Sequence, residues 1–220
     1  MQHAVLFDLD GTLLDTEPDF TFILNELLRY HGRPVVSAEH LRKLVSAGAT
    51  TMVRHGFEMQ ESDPLLPALL TQFLDMYADL IPSTQAGLYS DVDLLLASLN
   101  DQGIPWGIMT NKSRRFSVPL LARFESFATC ATLVCPDDVG KGKPDPAGLL
   151  LACEQLAVEP ANAIYVGDHP RDIEAANNAG MPGVAVSWGY LPENNPIEQW
   201  KAFATIHSPL ELLQILSGSK

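Results

Sequence analysis

Positive charge is scarce in this sequence: 14 Lys and Arg stand against 27 Asp and Glu, a formal net charge of −13. That balance argues against a general nucleic-acid surface, because binding a phosphate backbone requires clustered cations. A small anionic substrate is compatible with it, provided a divalent metal and a few placed cations create a local positive site inside the acidic envelope. Cysteine is scarce too. Cys130, Cys135 and Cys153 are odd in number and lack C-x-x-C spacing, so they read as reduced thiols rather than a disulfide framework or thiolate metal site. No apolar run approaches membrane-spanning length, and Ala4 to Leu9 is too short, and too soon interrupted by acid, for a signal peptide. The expected location is the cytoplasm, with no membrane and no nucleic acid as partner, as a monomer or homodimer. Hydrophobic residues at 46% and charged residues at 19% are those of an ordinary globular protein.

Five short apolar runs read as strands: Ala4 to Phe7, Trp106 to Met109, Leu133 to Cys135, Ala163 to Val166 and Gly183 to Val186. Between them lie helical patterns. Asp91 to Gln102 carries Val92, Leu95, Leu96 and Leu99 at helix spacing before Gly103, and Ala147 to Leu156 and Asp172 to Ala179 follow the same plan. Alternating strands and helices predict an α/β fold, a parallel sheet with helices on both faces. The stretch between the first strand and Pro82 departs from that rhythm. Phe20, Ile23, Leu24, Leu27 and Leu28 mark one amphipathic helix, and Leu66, Leu69, Leu70, Phe73, Leu74 and Tyr77 another. The expected organisation is a catalytic core of residues 1–15 and 83–220 interrupted by a helical insertion, 16–82, that could exclude water and select substrate.

Chemistry-bearing residues fall at the C-terminal ends of separate strands, where open α/β sheets bind ligands. Asp8 and Asp10 follow the first, Thr110 and Asn111 the second, and Gly167-Asp168-His169-Pro170-Arg171-Asp172 the fourth, while Lys143-Pro144 precedes a helix. Two neighbouring carboxylates are costly together unless a cation lies between them or one keeps a proton. Cleavage of a phosphate monoester uses such a set: an oxygen nucleophile, a metal for the equatorial oxygens, donors for the phosphoryl group and an acid for the leaving oxygen. Asp8 suits the nucleophile and Asp10 the general acid and base. Thr110 and Asn111 offer neutral donors, and Lys143 balances charge. Asp168 completes a Mg²⁺ site with Asp8 and the backbone carbonyl of Asp10, with Asp172 in support.

The segment DLDGTLLDTE, Thr110, Lys143-Pro144-Asp145-Pro146 and GDHPRD resemble, in this order, the four motifs of the haloacid dehalogenase superfamily of phosphohydrolases. The resemblance spans nearly the whole chain and implies a Rossmann-like three-layer α/β/α core with a mobile helical cap, Asp8 as nucleophile, Asp10 as general acid/base and Mg²⁺ as cofactor. The presence of Asp10 favours phosphoryl transfer over dehalogenation. Thr110-Asn111-Lys112 with Phe116, and Trp188-Gly189-Tyr190, resemble the phosphoglycolate phosphatase group; Gly48-Ala49 with Met52-Val53, and Cys135-Pro136-Asp137-Asp138-Val139, resemble its N-acetylmuramic acid 6-phosphate phosphatase branch. The implied substrate is a small phosphorylated metabolite, 2-phosphoglycolate or a sugar 6-phosphate. Two positions depart from the pattern. His169 stands where a small Ser is common, and the loop Ser46 to Thr51 has no cation between Lys43 and Arg54; Arg54, with His55 beside it, or Lys43 is the candidate substrate contact of the insertion. Arg114 and Arg115 read as a solvated helix start. The alternatives are a phosphomutase of the β-phosphoglucomutase type, on the same core and cap, and a non-catalytic phosphate-binding regulatory module. The latter fits less well, because receiver-type domains are about half this length and lack the insertion.

Overall fold

The computed structural model describes residues 4–218. The chain forms two compact units, one holding the residues up to Asp15 and those from Leu88 onward, the other Thr16–Gly87. The strands in chain order are β1 (Ala4–Phe7), β2 (Leu14–Asp15), β3 (Gly87–Leu88), β4 (Trp106–Met109), β5 (Thr132–Val134), β6 (Ala163–Gly167), β7 (Gly183–Val186) and β8 (Ala204–Ile206). The helices are α1 (Glu17–Tyr30), α2 (Ala38–Arg42), α3 (Ala49–Gly56), α4 (Leu66–Leu80), α5 (Val92–Asp101), α6 (Arg114–Leu121), α7 (Pro136–Val139), α8 (Ala147–Gln155), α9 (Pro170–Asn178) and α10 (Glu211–Leu216).

In the first unit six strands form a parallel sheet in the order β5-β4-β1-β6-β7-β8. The chain builds outward from β1 through β4 to β5, then crosses to the other side of β1 to lay down β6. The tips of β4, β1 and β6 therefore flank the switch in winding direction, the position at which such sheets form a ligand crevice. Both faces are covered, so the inner strands are apolar without alternation. Ala4 and Leu6 of β1 pack with Leu149, Ala152 and Cys153 of α8 and Ala175 and Ala176 of α9. Val5 and Phe7 point the opposite way, and the Phe7 ring meets Trp106 edge-on, centroids 6.3 Å apart. Phe7, Leu13, Val92, Leu95, Val166, Ile206 and Leu212 surround a small void between the sheet and helices α5 and α10. The result is the three-layer α/β/α arrangement that strand and helix alternation predicts.

The second unit is helical. Phe20, Ile23, Leu24, Leu27 and Leu28 of α1 are buried, as are Leu66, Leu69, Phe73 and Tyr77 of α4. Phe20 is their meeting point, 6.2 Å from the Phe73 ring and 4.9 Å from that of Tyr77. Asn25 fastens the loop after α1, donating to Val36 O at 3.0 Å and accepting from Val36 N–H at 2.9 Å.

Some boundaries differ from the sequence reading. The compact units divide after Gly87 rather than at 82, because Ile81–Ser83 prolong α4 as a 3₁₀ turn and the next two residues bond to α1: the Thr84 hydroxyl and the Gln85 N–H both donate to buried Asp19. The expected core also extends past the described residues, at 1–3 and 219–220. The third strand lies one residue earlier than its apolar run, since the Cys135 N–H donates to Asp138 at 2.8 Å and starts α7. A sixth strand, β8, was not expected. It is three residues long with only Ile206 buried, the weak pattern of an edge strand. The two-residue β2 falls in a stretch that shows no strand signal.

Candidate active site

The site belongs to the sheet unit and begins at the end of β1. Asp8 continues the sheet, its N–H donating to Val166 O at 2.9 Å, so its side chain emerges at the tip. Asp8 Oδ1 accepts from Leu9 N–H at 2.7 Å and lies 2.8 Å from Lys143 Nζ. The same ammonium is 2.7 Å from Asp172 Oδ1 and donates to the Tyr165 hydroxyl at 2.8 Å; that hydroxyl donates onward to Met109 O at 2.7 Å. Asp8, Asp168 and Asp172 are all buried and bring carboxylate oxygens within 4.8 Å of one another.

One ammonium among three buried carboxylates leaves an excess of negative charge. Burial, reinforced by Asp172 and Asp10 and opposed by Lys143, raises the Asp8 pKa to about 6. Burial and the charges of Asp172 and Asp8 push Asp168 well above the usual carboxylate range. For Lys143 burial acts downward, but Asp172 and Asp8 outweigh it and its pKa rises. The donor set is all carboxylate oxygen, the chemistry that selects a hard divalent cation, and such a cation would relieve the crowding. These residues fit a metal.

The backbone is shaped to permit this density. Gly11 has φ +89°, and a Cβ there would fall 2.2 Å from Asp168 Oδ2; at Gly189 it would fall 2.3 Å from Asp168 Cβ. Asp168 is fixed by Tyr190 N–H donating to Oδ2 at 2.7 Å and by the Thr12 hydroxyl donating to Oδ1 at 3.3 Å. Trp188 Nε1–H donates to Thr12 O, and the Tyr190 hydroxyl to Asp15, so Trp188-Gly189-Tyr190 forms a brace behind the acidic cluster.

At the β4 tip, Thr110 is buried, and its Oγ1 accepts from Lys112 N–H at 3.1 Å. Asn111 turns to the Lys143 backbone, accepting from its N–H at 2.7 Å and donating to its O at 3.2 Å. That pair of bonds sets where Lys143 begins. Asp10 stands apart from the acidic cluster: its carboxylate accepts from Lys112 Nζ at 2.8 and 3.0 Å. The sequence reading gave Lys112 and Tyr165 no role. Lys112 was findable as a cation two residues beyond the β4 tip; Tyr165 sits mid-strand in β6 and carried no signal.

Asp172 also has a structural part, its Oδ2 accepting from His169 N–H at 2.9 Å. His169 is the N-cap of α9, its Nδ1 accepting from Arg171 N–H at 3.3 Å. Burial, then nearby Arg171, lowers its pKa to about 4, so at neutral pH the ring is the uncharged acceptor that a cap requires. Pro170 at the first helical position was the legible sign that α9 starts before Asp172. Arg114 opens α6 with its side chain partly exposed, and it is also paired there: it donates to both Asp138 oxygens and to Leu133 O, while Asp137 accepts from its backbone N–H. Arg54 belongs to the helical unit, on α3, where its Nη1 lies 3.6 Å from Glu61.

Residues 5–186 match the haloacid dehalogenase-like hydrolase family. The chain belongs to that family and is an enzyme. It is 41% identical over 214 residues to an N-acetylmuramic acid 6-phosphate phosphatase of Pseudomonas aeruginosa, covering 97% of this chain and 94% of that protein. It is 39% identical over 211 residues to a phosphoglycolate phosphatase of Xanthomonas campestris pv. campestris, covering 96% and 94%. A crystal structure of a predicted phosphoglycolate phosphatase from Haemophilus somnus 129pt superposes with a TM-score of 0.86 at 26% identity, covering 98% of each chain.

Proposed function

We propose that this phosphatase is a Mg²⁺-dependent phosphomonoester hydrolase that works through an aspartyl-phosphate on Asp8, with N-acetylmuramic acid 6-phosphate as the first substrate to test. The observation that carries the reading is Lys143 held between Asp8 and Asp172 beside Asp168, an arrangement short of positive charge by about one divalent cation. Asp8, Asp168 and the backbone of Asp10 would hold Mg²⁺, which supplies charge neutralisation at the phosphoryl oxygens. An Asp8 carboxylate oxygen attacks phosphorus as the bond to the leaving oxygen breaks, and Asp10 gives that oxygen its proton. Asp10 then takes a proton from water, the water oxygen attacks phosphorus, and the bond to Asp8 breaks to release inorganic phosphate. The Thr110 hydroxyl and Lys143 Nζ hold the phosphoryl group meanwhile. Lys112 fixes Asp10 within reach of the β1 tip.

The substrate proposal rests on the relative that is 41% identical along nearly the whole chain; 2-phosphoglycolate is the second reading, favoured by the relative at 39%. The reduced thiols Cys135 and Cys153, buried in the sheet unit, fit a cytoplasmic location. A panel of phosphorylated metabolites scored by kcat/KM decides the substrate: preference for the sugar 6-phosphate is expected, and a preference for 2-phosphoglycolate reverses the order. Asp8→Asn abolishes Mg²⁺-dependent turnover while the fold is kept, and return of labelled phosphate to sugar rather than its release would instead indicate a mutase.

A further inference from the structure

The helical unit contains an open cavity of about 510 Å³ of its own, lined by residues of the loop after α1, of α2, of α3 and of the segment 57–60 that follows α3. Cationic and imidazole groups dominate the polar part of its wall: Arg33, Arg54, His40 and His55, against the single carboxylate of Glu58. In a chain of net charge −13 that concentration is unusual. Arg54 is incompletely paired, with Nη1 a loose 3.6 Å from Glu61 and Nε buried with no hydrogen-bond partner. A buried donor of a charged group left unmatched is costly, and a guanidinium is shaped for a carboxylate or phosphoryl group. His40 and His55 meet through their Nε2 atoms, rings 4.4 Å apart, so each presents an imidazole at the cavity wall.

The cavity lies far from the ends of the unit's chain. Asp19, near the start of α1, accepts from Thr84 and Gln85, so both ends of the insertion meet at the α1 N-terminus. The cavity wall begins with Arg33, beyond the α1 C-terminus. Fourteen helical residues separate the two, about 21 Å.

We propose that this cavity is a second ligand site, taking a compact, multiply charged oxyanion of metabolite size, which the cavity volume accommodates. Such an anion would join the α1–α2 loop to α2 and α3. The Asp8 chemistry is not required for it, so the test is made without turnover. Calorimetric titration of the protein, stripped of metal and then freed of chelator, with inorganic phosphate, and separately with citrate, distinguishes phosphoryl from carboxylate ligands. Saturable binding of at least one is expected, weakened about tenfold or more by Arg54→Gln and by Arg33→Gln. Arg33 and His40 are exposed, so Arg33→Gln and His40→Gln keep the test valid if Arg54→Gln fails to fold. Absence of saturable binding by either anion, or binding unchanged in Arg33→Gln and His40→Gln, overturns the proposal.

Discussion

Asp19 in the helical unit and Asp8 in the sheet unit are both buried carboxylates, and they are held in opposite ways. Asp19, fully buried, is satisfied by neutral donors, the Thr84 hydroxyl and the Gln85 N–H. Asp8 shares one ammonium with Asp172 and crowds Asp168. A buried acid matched by hydrogen bonds closes a loop; a buried acid among other acids stores an electrostatic demand that a divalent cation can meet. The difference separates architecture from chemistry within one chain.

The strongest way to break the comparison is to remove the shared ammonium. Lys143→Met leaves Asp8 and Asp172 buried without a cation, and a loss of about 3–5 kcal/mol of stability is expected, together with at least a hundredfold fall in kcat/KM. Denaturant melts and steady-state kinetics check it; a variant of wild-type stability would show that the pair was never strained. Asp19→Ala orphans the Gln85 N–H, with an expected cost of about 1–3 kcal/mol and kcat within roughly threefold of wild type once folded. A large loss of kcat at unchanged stability would erase the distinction.

A third test uses pH. Asp8 is raised from 3.8 to about 6, so the folded state holds that proton more tightly than the unfolded chain. Its contribution to stability is therefore fullest below the unfolded value and declines as pH rises through the folded one. Without metal, the melting temperature contributed by this group is expected to fall between about pH 4 and 6, by roughly 2–4 °C for each kcal/mol. Mg²⁺ restores it above that window and does little below. Thermal melts with and without Mg²⁺ across the range measure this, and a Mg²⁺ effect independent of pH would count against metal binding at Asp8. The smallest expected effect is at His169: removing the cap in His169→Ala costs about 1 kcal/mol, whereas His169→Ser, a good N-cap itself, is close to neutral. A loss of activity in His169→Ser exceeding its change in stability would give the ring a role beyond capping.

Much of the site was legible because it is local. An apolar run ended by acid marks a strand tip wherever it occurs, so the order of residues alone placed Asp8, Thr110 and Asp168, and helix periodicity set out α1, α4 and α5. What escaped detection depends on distance along the chain. Lys112 meets Asp10 across 102 residues, and Asn111 reaches the Lys143 backbone across 32; neither partner announces the other. His169 escaped as a cap because imidazole is an uncommon N-cap, working here through an unprotonated Nδ1. β8 escaped because an edge strand with one buried residue has almost no hydrophobic signature.

The central claim is that Asp8 itself carries the phosphoryl group. Borohydride quenching during turnover reduces an acyl phosphate to an alcohol, and peptide mass mapping then locates it. The account predicts homoserine at position 8, dependent on both substrate and Mg²⁺; homoserine at another aspartate, or an unmodified Asp8 under conditions of steady turnover, would contradict it.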